Sequence, residues 1–256
     1  MAINPANKQT ERARLEALQL RQSAILERAM RKALAGQYRA AIAAYEQRGE
    51  SGIREAIVRN SSGLVTALSS AYRSSAVTLG RDVLMSAKSA HGGLVVKTTV
   101  DEMLAQLALE FAQEWTATKV VQITTTTEEW IRATIQRGLL DGLSVQSIAQ
   151  HLRDDSIPIS AIRAHVIART ETHAAANFGS QAGAELTGLD MRREWVSAMD
   201  DRTRDGRFNH RTADGQTRGM KEPFVVGGER LMYPGDFSGS AGNTIMCRCQ
   251  VVFVYD

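Results

Sequence analysis

Two cysteines separated by one residue, Cys247 and Cys249, and an upstream histidine, His210, are the side chains of this 256-residue chain best suited to holding a metal. Thiolate and imidazole are the ligands zinc prefers, and a small turn-rich region with a modest core is the kind of structure a tetrahedral clamp stabilises. The two cysteines stand too close in sequence for an unstrained disulfide with each other. Three ligands leave a tetrahedron one short, and His173 is the candidate for the fourth position. Cys-x-Cys is a looser signal than Cys-x-x-Cys, and cysteine is among the residue types most often buried. A structural zinc and a pair of buried thiols therefore both stand as readings of these residues.

A second cluster, DDRTRDGRFNH, sets Asp200, Asp201 and Asp205 beside His210, a donor set that metal-dependent phosphodiester cleavage could use. Arg202, Arg204 and Arg207 are interleaved with those carboxylates, and alternating opposite charges also make an ion-paired turn. The sequence contains no Gly-rich phosphate loop, nucleophile elbow or His-Glu-x-x-His. A non-enzymatic role is expected, with a metal-dependent nuclease as the alternative.

These groups need a frame, and the stretch SAIRAHVIARTETHAAANFGSQAGAELTG, residues 160–188, reads as the helix that supplies it. Ser160 can cap its start and Gly188 can end it. Ile162, Val166, Thr170 and Ala174 recur four apart and are assigned to the core, while Arg169, His173 and Asn177 form a polar stripe one helical turn apart. Glu171 projects elsewhere, toward an arginine.

Ahead of this helix the chain is almost without breakers: three of its 4 prolines lie at or after Pro158. Helices are expected over Thr10–Gln47, ended by Gly49, then over Ile53–Ala90, interrupted by His91, Gly92 and Gly93. A β-prone run, Leu94–Thr99, follows. A helix over Val100–Val121 carries the stripe Met103, Leu107, Phe111 and Trp115, a fourth is capped by Thr124–Thr127, and a short one is opened by Ser144. After Gly188 the texture changes to short β-prone runs between turn pairs, predicting strands at Met191–Ser197, Pro223–Val226 and Cys249–Val254. Trp195, Phe224 and Val251–Val254 are expected to share a core with the organising helix. The fold class is α+β: an extended helical region over 1–155 followed by a small C-terminal α+β domain over 156–256.

Composition is that of an ordinary globular protein, 43% hydrophobic and 23% charged, with a formal net charge of +3 and a pI near 9.0. That balance permits contact with nucleic acid without demanding it. Residues 1–50 hold nine Lys or Arg against five Asp or Glu, a basic helical arm or simply a solvated face. Leu15, Leu18, Ile25 and Met30 form an apolar stripe on that arm, expected to make the main contacts with a protein partner. No signal-peptide core and no membrane-span length of apolar sequence occurs, which predicts a soluble intracellular protein.

The C-terminal elements come in a recognisable order: IARTET on a helix, Asn177, EWVSAMDDRTRDGRFNH, ADGQ, PF, YPGD and a terminal CRC. Together with TTTTEEWIRATIQRGLLDGLSVQSIAQHL ahead of them, they resemble the Mu F-like family of phage minor head, or head morphogenesis, proteins over roughly residues 100–256. Two departures stand out. Met246 sits where the family commonly has Asn before the first Cys, with Asn243 three residues earlier, and five residues separate Arg204 from His210. The motif positions carried by the resemblance are Arg169, Glu171, His173, Asn177, Trp195, Asp201, Arg204, Asp214, Gly215, Pro234 and Gly235. The resemblance implies a low-copy structural component of the procapsid and virion, associated with the portal and acting in head assembly and in DNA packaging or ejection. Its implied partners are the portal protein, a major capsid or scaffold protein and packaged double-stranded DNA bound without sequence specificity, with no membrane in the capsid-bound state. Its implied locations are the phage head or portal vertex, and the host cytoplasm during assembly. The enzyme or toxin domain that some relatives carry after the CRC segment is not expected.

Overall fold

The computed structural model describes residues 5–90 and 98–255. Helices come first: α1 (Pro5–Arg48), a 3-10 turn at Gly49–Gly52, α2 (Ile53–Arg59), α3 (Ser62–Ala90), α4 (Thr98–Leu140) and α5 (Val145–Leu186). Strands β1 (Met191–Val196), β2 (Thr217–Gly219), β3 (Phe224–Val226) and β4 (Glu229–Leu231) follow, then a single turn α6 (Ala241–Thr244) and the last strand β5 (Gln250–Tyr255). The fold is α+β, with long helices leading into short antiparallel strands. One sheet has the order β2-β1-β5 and the other is the β3-β4 hairpin.

Several helix boundaries differ from expectation for local reasons. The threonine run at 124–127 lies inside α4 instead of capping a new helix. Thr126 Oγ1 and Thr127 Oγ1 each donate to the carbonyl one turn back, Gln122 O and Ile123 O, at 2.9 Å, which lets the hydroxyls sit in a continuing helix. Ser144 does cap α5, accepting from Ser147 N at 3.1 Å. The helix then runs on through Pro158, so Ser160 caps nothing. Pro158 and Asp154, whose carbonyl loses its donor to the proline ring, are both exposed, and water can take the place of the missing bond. Gly188, at φ +67, closes the helical region by taking the left-handed conformation that favours glycine. The second expected helix is broken at Asn60, whose Nδ2 donates to Ala56 O at 2.9 Å. Of the β-prone run at 94–99, only Thr98 and Thr99 fall among the described residues, where they open α4; His91, Gly92 and Gly93 lie outside them.

A cut between 155 and 156 falls inside α5. The described residues gather instead into two compact units, each assembled from separated stretches of chain. One lies within Met1–Ala24, Ala71–Phe111 and Arg169–Asp256; the other is Ile25–Ser70 with Ala112–Ala168. The second unit is wholly helical. Met30, Leu34, Tyr38, Ile53, Ile57, Leu64 and Leu68 are fully buried in the chain, and Tyr38 meets the edge of Trp130 with ring centroids 5.2 Å apart. Arg163 ties three helices there, donating to Tyr38 OH and Thr127 Oγ1 at 2.8 Å and to Ile123 O at 3.0 Å.

The first unit contains both sheets and the C-terminal half of α5. Trp195, Phe224, Val251, Phe253, Cys247 and Cys249 share a core with Ala184 of α5 and Val83 of α3. This is the core expected for Trp195 and the final strand. Leu15 packs with Leu79 and Ala176, and Leu104 with Leu84 and Ala182. Helices α3 and α5 touch backbone to backbone: a Cβ on Gly179 would collide with Ala76 main-chain atoms, and one on Gly183 with Gly80 main-chain atoms. Hydrogen is the largest side chain that this contact admits.

Three expected faces are displaced. Ile162 is 66% exposed, and the buried positions of α5 are Ala164, Ala168 and nearly everything from Thr170 to Asn177. On α4 the buried stripe is Leu104, Ala108 and Phe111, one residue off at its start, with Met103 left outside. On α1, Leu15 and Met30 are buried within the chain's own units and Ile25 points to solvent.

Candidate metal centre and the polar frame around it

The frame begins with β1, the central strand of its sheet, paired Trp195 to Val251 and Arg193 to Phe253. Beyond Val196 the chain loops out from 197 to 215 and is fastened back. Asp214 Oδ1 accepts from Ser197 N at 2.7 Å, and Gly215 N donates to Trp195 O at 2.8 Å. Within the loop His210 N donates to Arg204 O at 2.9 Å, and Ser197 Oγ donates to His210 O at 2.5 Å. These bonds turn the His210 ring inward, where it meets the indole of Trp195 edge-on at 5.7 Å.

The structure brings His210, Cys247 and Cys249 together. All three are buried, and their candidate ligand atoms lie within 4.8 Å of one another. His210 Nδ1 is 3.3 Å from Cys249 Sγ and 3.6 Å from Cys247 Sγ, while Nε2 is 3.1 Å from Asn243 Oδ1. Among the described residues this is the one group of three or more His, Cys, Asp or Glu side chains placed to share an ion. Burial, followed by the adjacent Cys249 sulfur, pushes the Cys247 thiol well above its usual range. At Cys249 burial also acts upward but is outweighed by the close contacts with Cys247 and His210, so that thiol is held down. A single proton between two sulfurs belongs to the pair.

His173 is not a fourth member. Its Nδ1 lies 3.0 Å from Gln19 Oε1, and Gln19 and Gln250 exchange amide hydrogen bonds of 2.8 and 2.7 Å across a buried contact. Burial first, then the charges of Arg169 and the proximity of His210 and Arg204, bring its pKa down to about 3, so the ring is neutral. The expected stripe on α5 is a scaffold. Asn177 Oδ1 accepts from Val251 N of β5 at 3.4 Å, and its Nδ2 donates to His173 O at 3.0 Å. Arg169 pairs with Glu16 at 3.4 Å. Glu171 accepts from Tyr72 OH at 2.5 Å. Thr170 Oγ1, assigned to the apolar face, accepts from Met246 N at 3.1 Å and so holds the segment leading into the cysteines.

The remaining motif positions shape loops. Pro234 and Gly235 are buried against α5, where a Cβ on Gly235 would lie 2.8 Å from His173 Cδ2. Asp236 closes that turn, accepting from Met232 N at 2.7 Å and Ser238 N at 2.9 Å. Arg204 reaches Ile245 O. Asp201 and Asp205 are exposed, and Asp200 is engaged by Arg248, which holds its carboxyl well below the usual range. Those carboxylates do not gather around the buried His210.

Two working residues lacked a sequence argument. Arg193 is fully buried in β1, and Asn243 is fully buried in α6 with its Nδ2 donating to Val226 O and Glu229 Oε2 at 3.1 and 2.8 Å. The signal for Arg193 was its place between Met191 and Trp195 on the inward side of an alternating strand. Asn243 was marked only as lying three residues before the position where the family has its Asn.

Residues 129–252 match the family described as Phage Mu protein F like protein. No curated protein and no solved structure matches the chain. No helix among the described residues is long and apolar enough to cross a membrane.

Proposed function

Residues 129–252 belong to the Phage Mu protein F like family, and from that membership we propose that the chain is a phage minor head protein, built into the procapsid and virion at the portal. In this reading it binds the portal protein and a major capsid or scaffold protein, and it acts in head assembly and in packaging or ejection of DNA. The family match is the observation that carries the proposal. The architecture of the matched region supports it: Arg169, Glu171, His173, Asn177 and Asp214 are each engaged in holding helix, loop and strand together. Such side chains fix a shape for other proteins to recognise.

Any contact with packaged DNA is sequence-independent. Several basic residues of α1 are already paired with carboxylates, Arg12 with Glu16 at 2.7 Å and Arg14 with Glu11 and Asp82 at 2.6 and 2.5 Å. Phosphate binding by the remaining positive charge would be modest and would weaken steeply with salt. Nothing in the site favours hydrolysis, because the carboxylates the nuclease reading required are exposed or ion-paired and stand apart from His210.

The test is assembly. The full chain, co-expressed with a portal protein and a major capsid protein from the same phage, should co-sediment with procapsids and be retained after washing in high salt. Procapsids that form with portal in place yet exclude the chain would overturn the proposal.

A further inference from the structure

We propose that His210 Nδ1, Cys247 Sγ and Cys249 Sγ bind one zinc ion, with a water as the fourth ligand, and that the ion is a structural pin joining the 197–215 loop to the start of β5. The inference is independent of the assembly reading and rests on the geometry of three side chains and their support.

The first support is the orientation of His210. Asn243 Nδ2 donates to Val226 O and Glu229 Oε2, which sets the amide so that Oδ1 faces the imidazole. That oxygen can only accept, so His210 Nε2, 3.1 Å away, carries the ring proton. Nδ1 therefore presents a bare lone pair, and it does so toward both sulfurs. A metal-bound histidine has this arrangement, with its outer N–H held by a fixed carbonyl oxygen that sets tautomer and ring angle.

The second support is spacing. Zinc bonds of about 2.3 Å to sulfur and about 2.05 Å to nitrogen at tetrahedral angles separate the nitrogen from each sulfur by about 3.6 Å. The observed separations are 3.6 Å to Cys247 and 3.3 Å to Cys249. A thiol hydrogen bond accounts for one of these approaches but not both, because one lone pair accepts one hydrogen well. An ion at the centre satisfies all three atoms. Two thiolates also neutralise Zn2+, so the buried cluster carries no net charge. Binding breaks the S–H bonds that remain on the cysteines, their protons leave to solvent, and no electrons are transferred.

The fourth position falls to water. A cavity of about 10 Å³ beside His210 and Cys249 is lined by Arg202, Thr203, Arg204 and Met246. That is room for one water molecule. Its walls supply arginines and no carboxylate base, so such a water is held without being activated for attack. Soft thiolates with imidazole select zinc over the hard, oxygen-seeking magnesium and calcium ions.

The experiment uses the full chain purified under reducing conditions without added chelator. Elemental analysis should find one equivalent of zinc. After chelation, Co2+ should restore a thiolate-to-cobalt charge-transfer absorption that saturates at one equivalent, and X-ray absorption of the zinc form should show two sulfurs in the first shell. Cys249→Ala should abolish the cobalt band. Asn243→Ala, which leaves all three ligands in place, should weaken zinc about 10- to 100-fold in competition with a chromophoric chelator. Absence of zinc together with absence of a cobalt band in the reduced wild-type chain would overturn the proposal. So would a sulfur-free first shell, a reading that does not depend on any variant folding.

Discussion

Replacing Arg193 by Met tests whether the C-terminal unit is organised around a buried charge. The guanidinium is fully buried and makes five hydrogen bonds to four acceptors. It donates to Gly219 O from Nε at 3.2 Å and from Nη2 at 2.8 Å, to Gln181 Oε1 at 3.0 Å, to Met232 O at 2.5 Å, and to Glu222 O. Burial pushes its pKa down to about 10, with Glu185 and Glu222 acting the other way, so it remains charged at neutral pH. Arg193→Met fills a similar volume but takes the donor from Gln181 Oε1, Met232 O and Glu222 O, whereas Gly219 O still accepts from Glu222 N at 3.1 Å. Each buried orphan costs about 1–3 kcal/mol. The Met232 and Glu222 carbonyls belong to residues with some exposure and can recover part of this from water, whereas the Gln181 side chain, 6% exposed, cannot. Relief of the guanidinium's own desolvation offsets part of the remainder. The expected net loss is about 3 kcal/mol, a large fraction of the roughly 5–15 kcal/mol that a domain has in total.

The assay is urea unfolding followed by Trp195 fluorescence in a Trp115→Phe, Trp130→Phe background, since Trp195 is the sole tryptophan of its unit. The midpoint should fall with the slope unchanged. Arg193→Lys should lose nearly as much, because an ammonium keeps the charge but cannot fork to carbonyls on several sides. A loss for Arg193→Met within about 0.5 kcal/mol, the range of ordinary surface changes, would refute the reasoning.

Trp195→Ala removes a fully buried indole packed on Phe224 and His210, and should cost about 3–5 kcal/mol in urea unfolding followed by circular dichroism; an unmoved midpoint would mean that the register of β1 is wrong. Gly183→Ala should destabilise by about 1–3 kcal/mol, because its methyl meets the Gly80 backbone. Gly36→Ala, in open space within α1, should stabilise by up to about 1 kcal/mol; calorimetry giving both changes the same sign would count against the α3–α5 contact. His173 is neutral in the fold down to about pH 3 but protonates near pH 6.5 when unfolded, so between those limits the unfolded state binds the extra proton. Stability from this residue is complete above pH 6.5 and falls with acidification by up to about 1.4 kcal/mol per pH unit. Chemical denaturation at pH 6 and pH 5 should show a smaller drop in His173→Gln than in the parent, and identical drops would remove His173 from the account.

Much of the site was legible because it rests on local pattern. The spacing of Arg169, His173 and Asn177 placed them on one face of a helix whatever that face met, and alternation around Trp195 placed β1 within one residue of where it lies. Strands β2 and β4 were not legible: three residues each, with an arginine at the centre of both, they show no alternation and exist because β1 and β3 offer them partners. The helix starts expected at Ser160 and at the threonines 124–127 fall inside continuous helices, since propensity alone does not say whether a carbonyl that loses its partner to Pro158 will find water or whether a hydroxyl will bond back along its own helix.

The sequence by itself determined what depends on neighbours in the chain: the helical first half, the turn-rich second half, the end of the helical region at Gly188, and the order of motifs that marks the family. Only the tertiary structure decided which stripe each helix buries, because a core face is defined by what packs on it. That is why Ile162 and Ile25 face solvent while Leu15 and Met30 do not. It also decided that His210 meets Cys247 and Cys249 while His173 stays with Gln19, a choice made by loop closure across more than thirty residues and by the one Asn243 amide that turns the ring.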